Sequence, residues 1–295
     1  MTKLNVEQEP LFQPLECELR LGSCDHILRM YPNTFQCMFV DWPYFTQKRK
    51  TKAATYTISE RLKKQNWKDF AADWDDGWDD HWGYFHWVYS CLKVMRESLT
   101  DDGSIFSCGS HHGIWAVKLA LIELGMYTIQ DIDTTTTEEF DEVVQATQDV
   151  VWAIPNAFPH LARKQMASSH QTILWARKGK QHIYDWEAAQ RYNDGKNLRD
   201  YWTINNAGYL KDSKHPSKKP PLLMKRAFDI ATRNGAIVCD PMAGSGRSYV
   251  GAQMLGDKIS KCVLIEREES YVDEMVGNYK LTKIENGLYS NRSGL

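Results

Sequence analysis

Two apolar runs in this 295-residue chain each end on an aspartate, and those carboxylates are where chemistry would begin. In one, Met38-Phe39-Val40 leads into Asp41 and then Trp42-Pro43-Tyr44, not into a helix. In the other, Ala236 to Asp240 is followed by the turn Gly244-Ser245-Gly246, a helical stretch from Ser248 to Leu255 stopped at Gly256, and a last run, Cys262 to Ile265, that ends on Glu266. Strand, glycine turn, helix, strand and acidic residue make a cradle for a nucleoside: glycines let the backbone approach the ligand, and Glu266 can accept hydrogen bonds from both ribose hydroxyls. The third glycine of a dinucleotide fingerprint would fall on Tyr249, so a nucleoside without a diphosphate fits better. Ligands of open α/β sheets collect outside the carboxyl ends of the strands. Asp41 and Asp240 can therefore face one crevice, which sets a hydrogen-bond-accepting carboxylate beside a bound nucleoside.

The elements that must hold these residues follow from periodicity. Leu19 and Leu21, then Ile27, Leu28 and Met30, predict a short strand or turn and a helical segment. Gln36 to Val40 predicts a buried strand. Trp82, Phe85, Val88, Tyr89, Leu92 and Met95 recur at helical spacing, followed by an Asp102-Gly103 turn and a strand from Ser104 to Ser107. Ile114 to Leu124 reads as a helix, with strands at Tyr127 to Asp131, Val150 to Ile154 and Gln171 to Ala176. Leu222 to Thr232 continues a helix entered through Pro220-Pro221, and Tyr271, Met275 and Tyr279 share one face of a final helix. Alternating strands and helices predict an α/β fold, a mostly parallel twisted sheet with helices on both faces. Residues 1–14 read as a polar arm and 15–295 as one domain. Two features stand out within it: a basic loop at 46–68 and an inserted lobe, basic and aromatic, at about 178–214.

With Asp41-Trp42-Pro43-Tyr44 and Asp240-Pro241-Met242-Ala243-Gly244-Ser245-Gly246 in place, the chain resembles the DNA amino-methyltransferases (N6-adenine/N4-cytosine). Their catalytic signature is Asp, Asn or Ser, then Pro-Pro and an aromatic residue. Catalytic signature first and cofactor signature last resembles the permuted β group. His215-Pro216-Ser217-Lys218-Lys219-Pro220 resembles the segment that wraps the methionine part of the cofactor, and Leu21-Gly22-Ser23-Cys24 the opening segment that touches its adenine. The resemblance implies a Rossmann-like S-adenosylmethionine-dependent methyltransferase fold. It also implies a cofactor set of Cys24, His215, Ser217, Lys219, Asp240, Pro241, Met242, Ala243, Gly244, Ser245, Gly246 and Glu266, with Ser217 capping the next helix.

An aromatic amino group is a poor nucleophile because its lone pair is delocalised into the ring. The resemblance makes the Asp41 carboxylate and the Trp42 carbonyl the acceptors of its two protons, rehybridising nitrogen towards tetrahedral. Pro43 stiffens the loop, and Tyr44 offers a face on which an extruded base stacks. Three departures are visible: Trp42 stands for the first proline of the motif, which should loosen the loop, Met242 for the usual phenylalanine and Ser23 for the usual aspartate. An aspartate at the head of the motif favours adenine N6 over cytosine N4, where serine is commoner.

Double-stranded DNA is the implied partner, through Lys48, Arg49, Lys50 and Lys52 directly after the catalytic loop, Arg163 beside the target-base pocket, and Arg191 and Arg199 in the lobe. A cognate restriction endonuclease and a homodimer are further partners that the resemblance suggests. The net charge of −2 gives no global basic field, so any DNA surface is local. Seven scattered cysteines without a Cys-x-x-Cys pair argue against a disulfide framework or a structural zinc, and no metal is expected. No apolar run is long enough to span a bilayer, so a cytoplasmic setting is expected. Cytosine-N4 methylation, RNA as substrate, a catalytically silent DNA-binding relative and a small-molecule dehydrogenase are the competing readings.

Overall fold

The computed structural model describes residues 15–45, 78, 80–127, 148–157, 159, 163–164, 166–179, 181–206, 215, 217–281 and 283–284. The 1–14 arm, Lys48, Arg49, Lys50, Lys52 and the rest of the 46–68 loop lie outside them, as does nearly all of the expected strand after Tyr127.

Nine strands form one sheet: β1 (Glu16–Leu21), β2 (Phe35–Asp41), β3 (Leu99–Gly109), β4 (Gln148–Ala153), β5 (His170–Arg177), β6 (Tyr201–Thr203), β7 (Ala236–Asp240), β8 (Ile259–Glu266) and β9 (Lys283–Ile284). Their order is β6-β4-β5-β3-β2-β7-β8-β1-β9, and every pairing is parallel except the two made by β5. The helices are α1 (Cys24–Ile27), α2 (His81–Ser98), α3 (Ile114–Glu123), α4 (Trp186–Arg191), α5 (Pro221–Ile230), α6 (Arg247–Gln253) and α7 (Glu269–Tyr279).

The near-continuous apolar runs of the central strands have a physical cause. A strand covered on both faces buries every side chain, and alternation sends neighbours to opposite layers. Cys37 and Phe39 of β2 enter one core with Leu223, Phe228 and Tyr249 from α5 and α6, whereas Met38 and Val40 enter the other with Val88, Leu92 and Val117 from α2 and α3. The chain leaves β2 by α2 on one face and β7 by α6 on the other. The crevice between β2 and β7 is thus a topological switch point, where open sheets bind ligands. Met38 pairs with Cys239, which carries Asp240 and Asp41 to the same carboxyl edge.

One expectation needs correction. Asp102-Gly103 is not a turn between elements but part of β3, where a register shift separates the Phe35–Leu99 and Cys37–Ser104 pairs. A Cβ on Gly103 would stand 2.9 Å from the Phe35 carbonyl oxygen, so the glycine serves close backbone approach. The described part of the 178–214 insertion is joined to the sheet. β6 extends the sheet beside β4, and Asp185 caps α4 while its own N–H donates to the Ile230 carbonyl at 2.8 Å. Ala188, Ala189 and Trp202 are buried, and three short apolar anchors in a polar stretch give no periodicity from which integration can be read. No helix among the described residues is long and apolar enough to cross a membrane.

Candidate active site

Asp41 closes β2 and the chain stays in register for one more residue, with the Trp42 N–H donating to the Cys108 carbonyl at 3.0 Å. The next two carbonyls are also held: Pro43 accepts from the Tyr84 hydroxyl at 2.8 Å and Tyr44 from the Ser110 hydroxyl at 3.1 Å. Trp42 itself is 1% exposed and meets Trp87 of α2 edge-on at 5.7 Å. Where the motif has its first proline, the buried indole and the Trp42 N–H bond anchor the chain instead. Phe45 adopts φ 53, which is rare for an aromatic residue, and stacks on Tyr84 at 4.6 Å.

The Asp41 carboxylate is asymmetric. Oδ2 receives the Lys219 ammonium at 2.7 Å, while Oδ1 is buried and has no hydrogen-bond partner among the described residues. Burial pushes the Asp41 carboxyl above its usual value, and the Lys219 charge and hydrogen bond pull against that rise. Lys219 itself is held protonated: desolvation, the largest single effect, opposes its charge, but the fields of Asp41, Tyr44 and Cys108 and the hydrogen bond to Asp41 together outweigh it. Tyr44 is not splayed into the cleft. Its hydroxyl receives Lys219 Nζ at 2.5 Å, pairs with the Ser217 hydroxyl and lies 3.4 Å from Gln171 Nε2.

The nucleoside cradle is built from β7 and β8. Asp240 accepts the Met242 N–H at 3.1 Å and pairs with the Ser248 hydroxyl, and burial pushes its carboxyl up to about 7. Gly244 and Gly246 have φ 51 and 72, in the left-handed region where L side chains are strained. Glu266 receives the Gly244 N–H at 2.7 Å and the Glu268 N–H at 2.8 Å, so one carboxylate ties the turn to the start of α7. Burial raises it above the usual carboxylate range. His215 packs edge-on to Tyr271 at 4.8 Å, its Nδ1 accepts the Ser217 N–H at 3.3 Å, and burial with the nearby Lys219 charge lowers its pKa to about 4. It is neutral at pH 7. Ser217 does not cap α5, whose N-cap is Pro220.

These groups line one cleft. Of the sequence-predicted residues, Cys24, Asp41, Pro43, His215, Ser217, Lys219, Asp240, Pro241, Met242, Ala243, Gly244, Ser245 and Glu266 line it, whereas Trp42, Tyr44 and Gly246 stand behind the lining. Trp87, Arg247 and Tyr271 also line it and were missed. Trp87 and Tyr271 lie on helices whose apolar faces read as core, and Arg247 immediately follows the glycine turn.

The arginines divide by sheet edge. Arg163 is exposed in the connection between the carboxyl end of β4 and the start of β5, at the cleft's end of the sheet. Arg191 and Arg199 are not brought to the site. Both lie towards the amino ends of the parallel strands, and Arg191 pairs with Asp229 of α5 at 3.2 Å. No group of His, Cys, Asp or Glu among the described residues is placed to hold a metal ion.

Comparison with known proteins agrees with this geometry. Among related sequences, the type II methyltransferase M2.DpnII of Streptococcus pneumoniae is 26% identical over 249 residues, covering 83% of this chain and 82% of its own. Among solved structures, the PvuII DNA methyltransferase, described as cytosine-N4-specific, matches with a TM-score of 0.63 at 16% identity, over 92% of this chain and 89% of its own. M1.HpyAVI in complex with S-adenosylmethionine matches at 0.57 and 17% identity, over 90% of this chain and 100% of its own. These structures establish the fold. The family model described as DNA methylase, that of the N6 and N4 methyltransferases, spans residues 35–277, from the strand that presents Asp41 to the helix behind Glu266. The chain belongs to this DNA methylase family.

Proposed function

We propose that the protein methylates the exocyclic N6 amino group of adenine in a short double-stranded DNA target, with S-adenosylmethionine as methyl donor. The observation that carries this reading is Asp41 in the lining of a cleft whose other wall is the glycine-turn cradle. The cradle suits the cofactor: Gly244, Asp240, His215 and Glu266 line one cleft, and a Cβ on Gly244 would stand 2.9 Å from His215 Nε2, so glycine lets the turn pack closely against the His215 ring there. Glu266 would accept the ribose hydroxyls, Met242 and Tyr271 would flank the apolar part, and Cys24 would stand by the adenine; all four line the cleft. When bound, S-adenosylmethionine supplies an electrophilic methyl group on a sulfonium.

The chain's own contribution is orientation and acceptance. The Asp41 carboxylate accepts a hydrogen bond from one amino N–H of the extruded base and the Trp42 carbonyl from the other, which localises the nitrogen lone pair and aims it. Asp41 need not be a strong base, because a methylated, positively charged nitrogen releases its proton readily to a neighbouring acceptor. Pro43 and its bond from Tyr84 hold the acceptor loop, and Tyr44 would have to leave its bonds to Lys219 and Ser217 to offer a stacking face to the base. Lys48, Arg49, Lys50 and Lys52, which follow this loop in the chain, and Arg163 are the phosphate contacts. The pneumococcal relative is named a type II methyltransferase, which supports a restriction–modification setting with a cognate endonuclease.

Cytosine N4 is the second reading, favoured by the PvuII match. The test is to incubate the protein with methyl-labelled S-adenosylmethionine and unmethylated DNA, digest to nucleosides and identify the labelled base, with Asp41→Ala as control. Label on N6-methyladenine that disappears in the variant is the expected result. Label on N4-methylcytosine overturns the base assignment, and label that survives in Asp41→Ala overturns the mechanism.

A further inference from the structure

The Lys219 ammonium has three protons, and the structure accounts for all of them. They point to Asp41 Oδ2 at 2.7 Å, the Tyr44 hydroxyl at 2.5 Å and the Ser217 hydroxyl at 3.4 Å. The side chain is 5% exposed, against 20% for Asp41, and Nζ sits 4.9 Å over the Tyr44 ring. A lysine so engaged has no donor left for a cofactor carboxylate. Its position in chain order, in a segment resembling one that wraps the cofactor, points the other way.

Resting on the methyl-transfer reading above, we propose that Lys219 is a positioning residue for the Asp41 carboxylate, not a cofactor ligand: its ammonium, bonded to Oδ2 at 2.7 Å, fixes the orientation of the carboxylate that lines the cleft. The reasoning is geometric. A carboxylate with both oxygens free can rotate about its Cβ–Cγ bond or turn an oxygen to water. One fixed by a charge-assisted bond to a buried cation keeps a single orientation. The same pair sets the charge state. The groups facing Asp41 are Tyr44 from its own loop, Cys108 from β3, Asp240 from β7 with Glu266 beyond it on β8, and Lys219 with neutral His215 from the approach to α5. Lys219 is the one cation among these six, and the remaining carboxylates oppose ionisation of Asp41. Without Lys219, burial and like charge act together and Asp41 takes up a proton, which blocks the acceptor.

Two readouts test this on the full chain. First, melting temperatures of the cofactor-free protein are measured from pH 5 to pH 8 for wild type, Lys219→Met, Asp41→Asn and the double variant. An acid whose folded pKa rises above its unfolded value loses stability as pH rises, so Lys219→Met is expected to lose about 5 °C more than wild type over that range. The double variant, which has no acid to titrate, is expected to lose none of it. Second, kcat/KM for methyl transfer is followed against pH. The acidic limb is expected to move up by about two pH units in Lys219→Met, and to return to its wild-type position in Lys219→Arg. S-adenosylmethionine affinity in the titration calorimeter is expected to stay within about threefold. A Lys219→Met limb that coincides with wild type, or a tenfold loss of cofactor affinity with no pH effect on either readout, overturns the proposal. Should Lys219→Met not melt cooperatively, Lys219→Gln, which keeps a donor but no charge, goes through the same cycle with the same criteria. Failure of wild type to methylate any DNA counts against the functional reading alone, because the melting cycle reports on the pair without turnover.

Discussion

Replacing Trp42 by proline would restore the residue that the DNA amino-methyltransferase signature carries at that place, yet it should destabilise this protein. The Trp42 N–H donates to the Cys108 carbonyl at 3.0 Å, and proline removes that donor and leaves a carbonyl unsatisfied beside a buried cysteine, for about 1–3 kcal/mol. The indole is 1% exposed and packs edge-on against Trp87, so its loss opens a cavity worth about 3–5 kcal/mol by the large-to-small scale. Proline fills part of that volume, which brings the expected total to about 4–6 kcal/mol. At roughly 2–4 °C per kcal/mol for a chain of this size, the melting temperature should fall by about 10–20 °C. Trp42→Phe keeps the N–H and most of the ring, and about 1–2 kcal/mol is expected. Urea denaturation of the cofactor-free protein, followed by circular dichroism, measures both. A Trp42→Pro protein as stable as wild type would refute the reasoning, since it would mean that neither the indole nor the N–H holds the acceptor loop.

Three shorter expectations follow from the same geometry. Gly244→Ala places a Cβ 2.9 Å from His215 Nε2 on a backbone with φ 51, and S-adenosylmethionine affinity, read by titration calorimetry, is expected to fall about tenfold or more for a strain of roughly 1–2 kcal/mol. Asp240, pushed up to about 7 by burial, binds a proton more tightly folded than unfolded, so its contribution to stability is full below pH 4 and is lost as pH rises to 7. Asp240→Asn keeps an acceptor for Met242 and a partner for Ser248 without titrating, and over that range its unfolding free energy, measured in urea, should gain on wild type by roughly 2–4 kcal/mol. Arg191→Ala and Arg199→Ala, at the far edge of the sheet, are expected to leave DNA affinity and its salt dependence unchanged in fluorescence anisotropy.

The parts of this protein that could be read from its sequence are those where one element specifies its own environment. A strand buried on both faces must be apolar throughout, so β2 and β7 announce themselves as short apolar runs, and the polar residue that ends each run is pinned to the sheet edge where ligands gather. Asp41, Asp240, Glu266 and the glycine turn fall in that class. What could not be read depends on a contact between distant segments. Lys219 stands beside residues that resemble a cofactor-wrapping segment, and only the pairing of β2 with β7 and the path of the chain into α5 bring its ammonium to Asp41. The same holds for Trp42: whether an aromatic side chain after a strand faces a ligand or a core is decided by α2, whose Trp87 receives it. Arg191 and Arg199 were assigned by composition, and a three-residue strand, too short to show a period, carries them to the opposite edge. The residues that distinguish this site from the motif it resembles, Trp42 and the lysine behind Asp41, are therefore supported from other elements. Substitutions within α2 or at the entry to α5 should perturb the Asp41 carboxylate, as changes within the motif itself do.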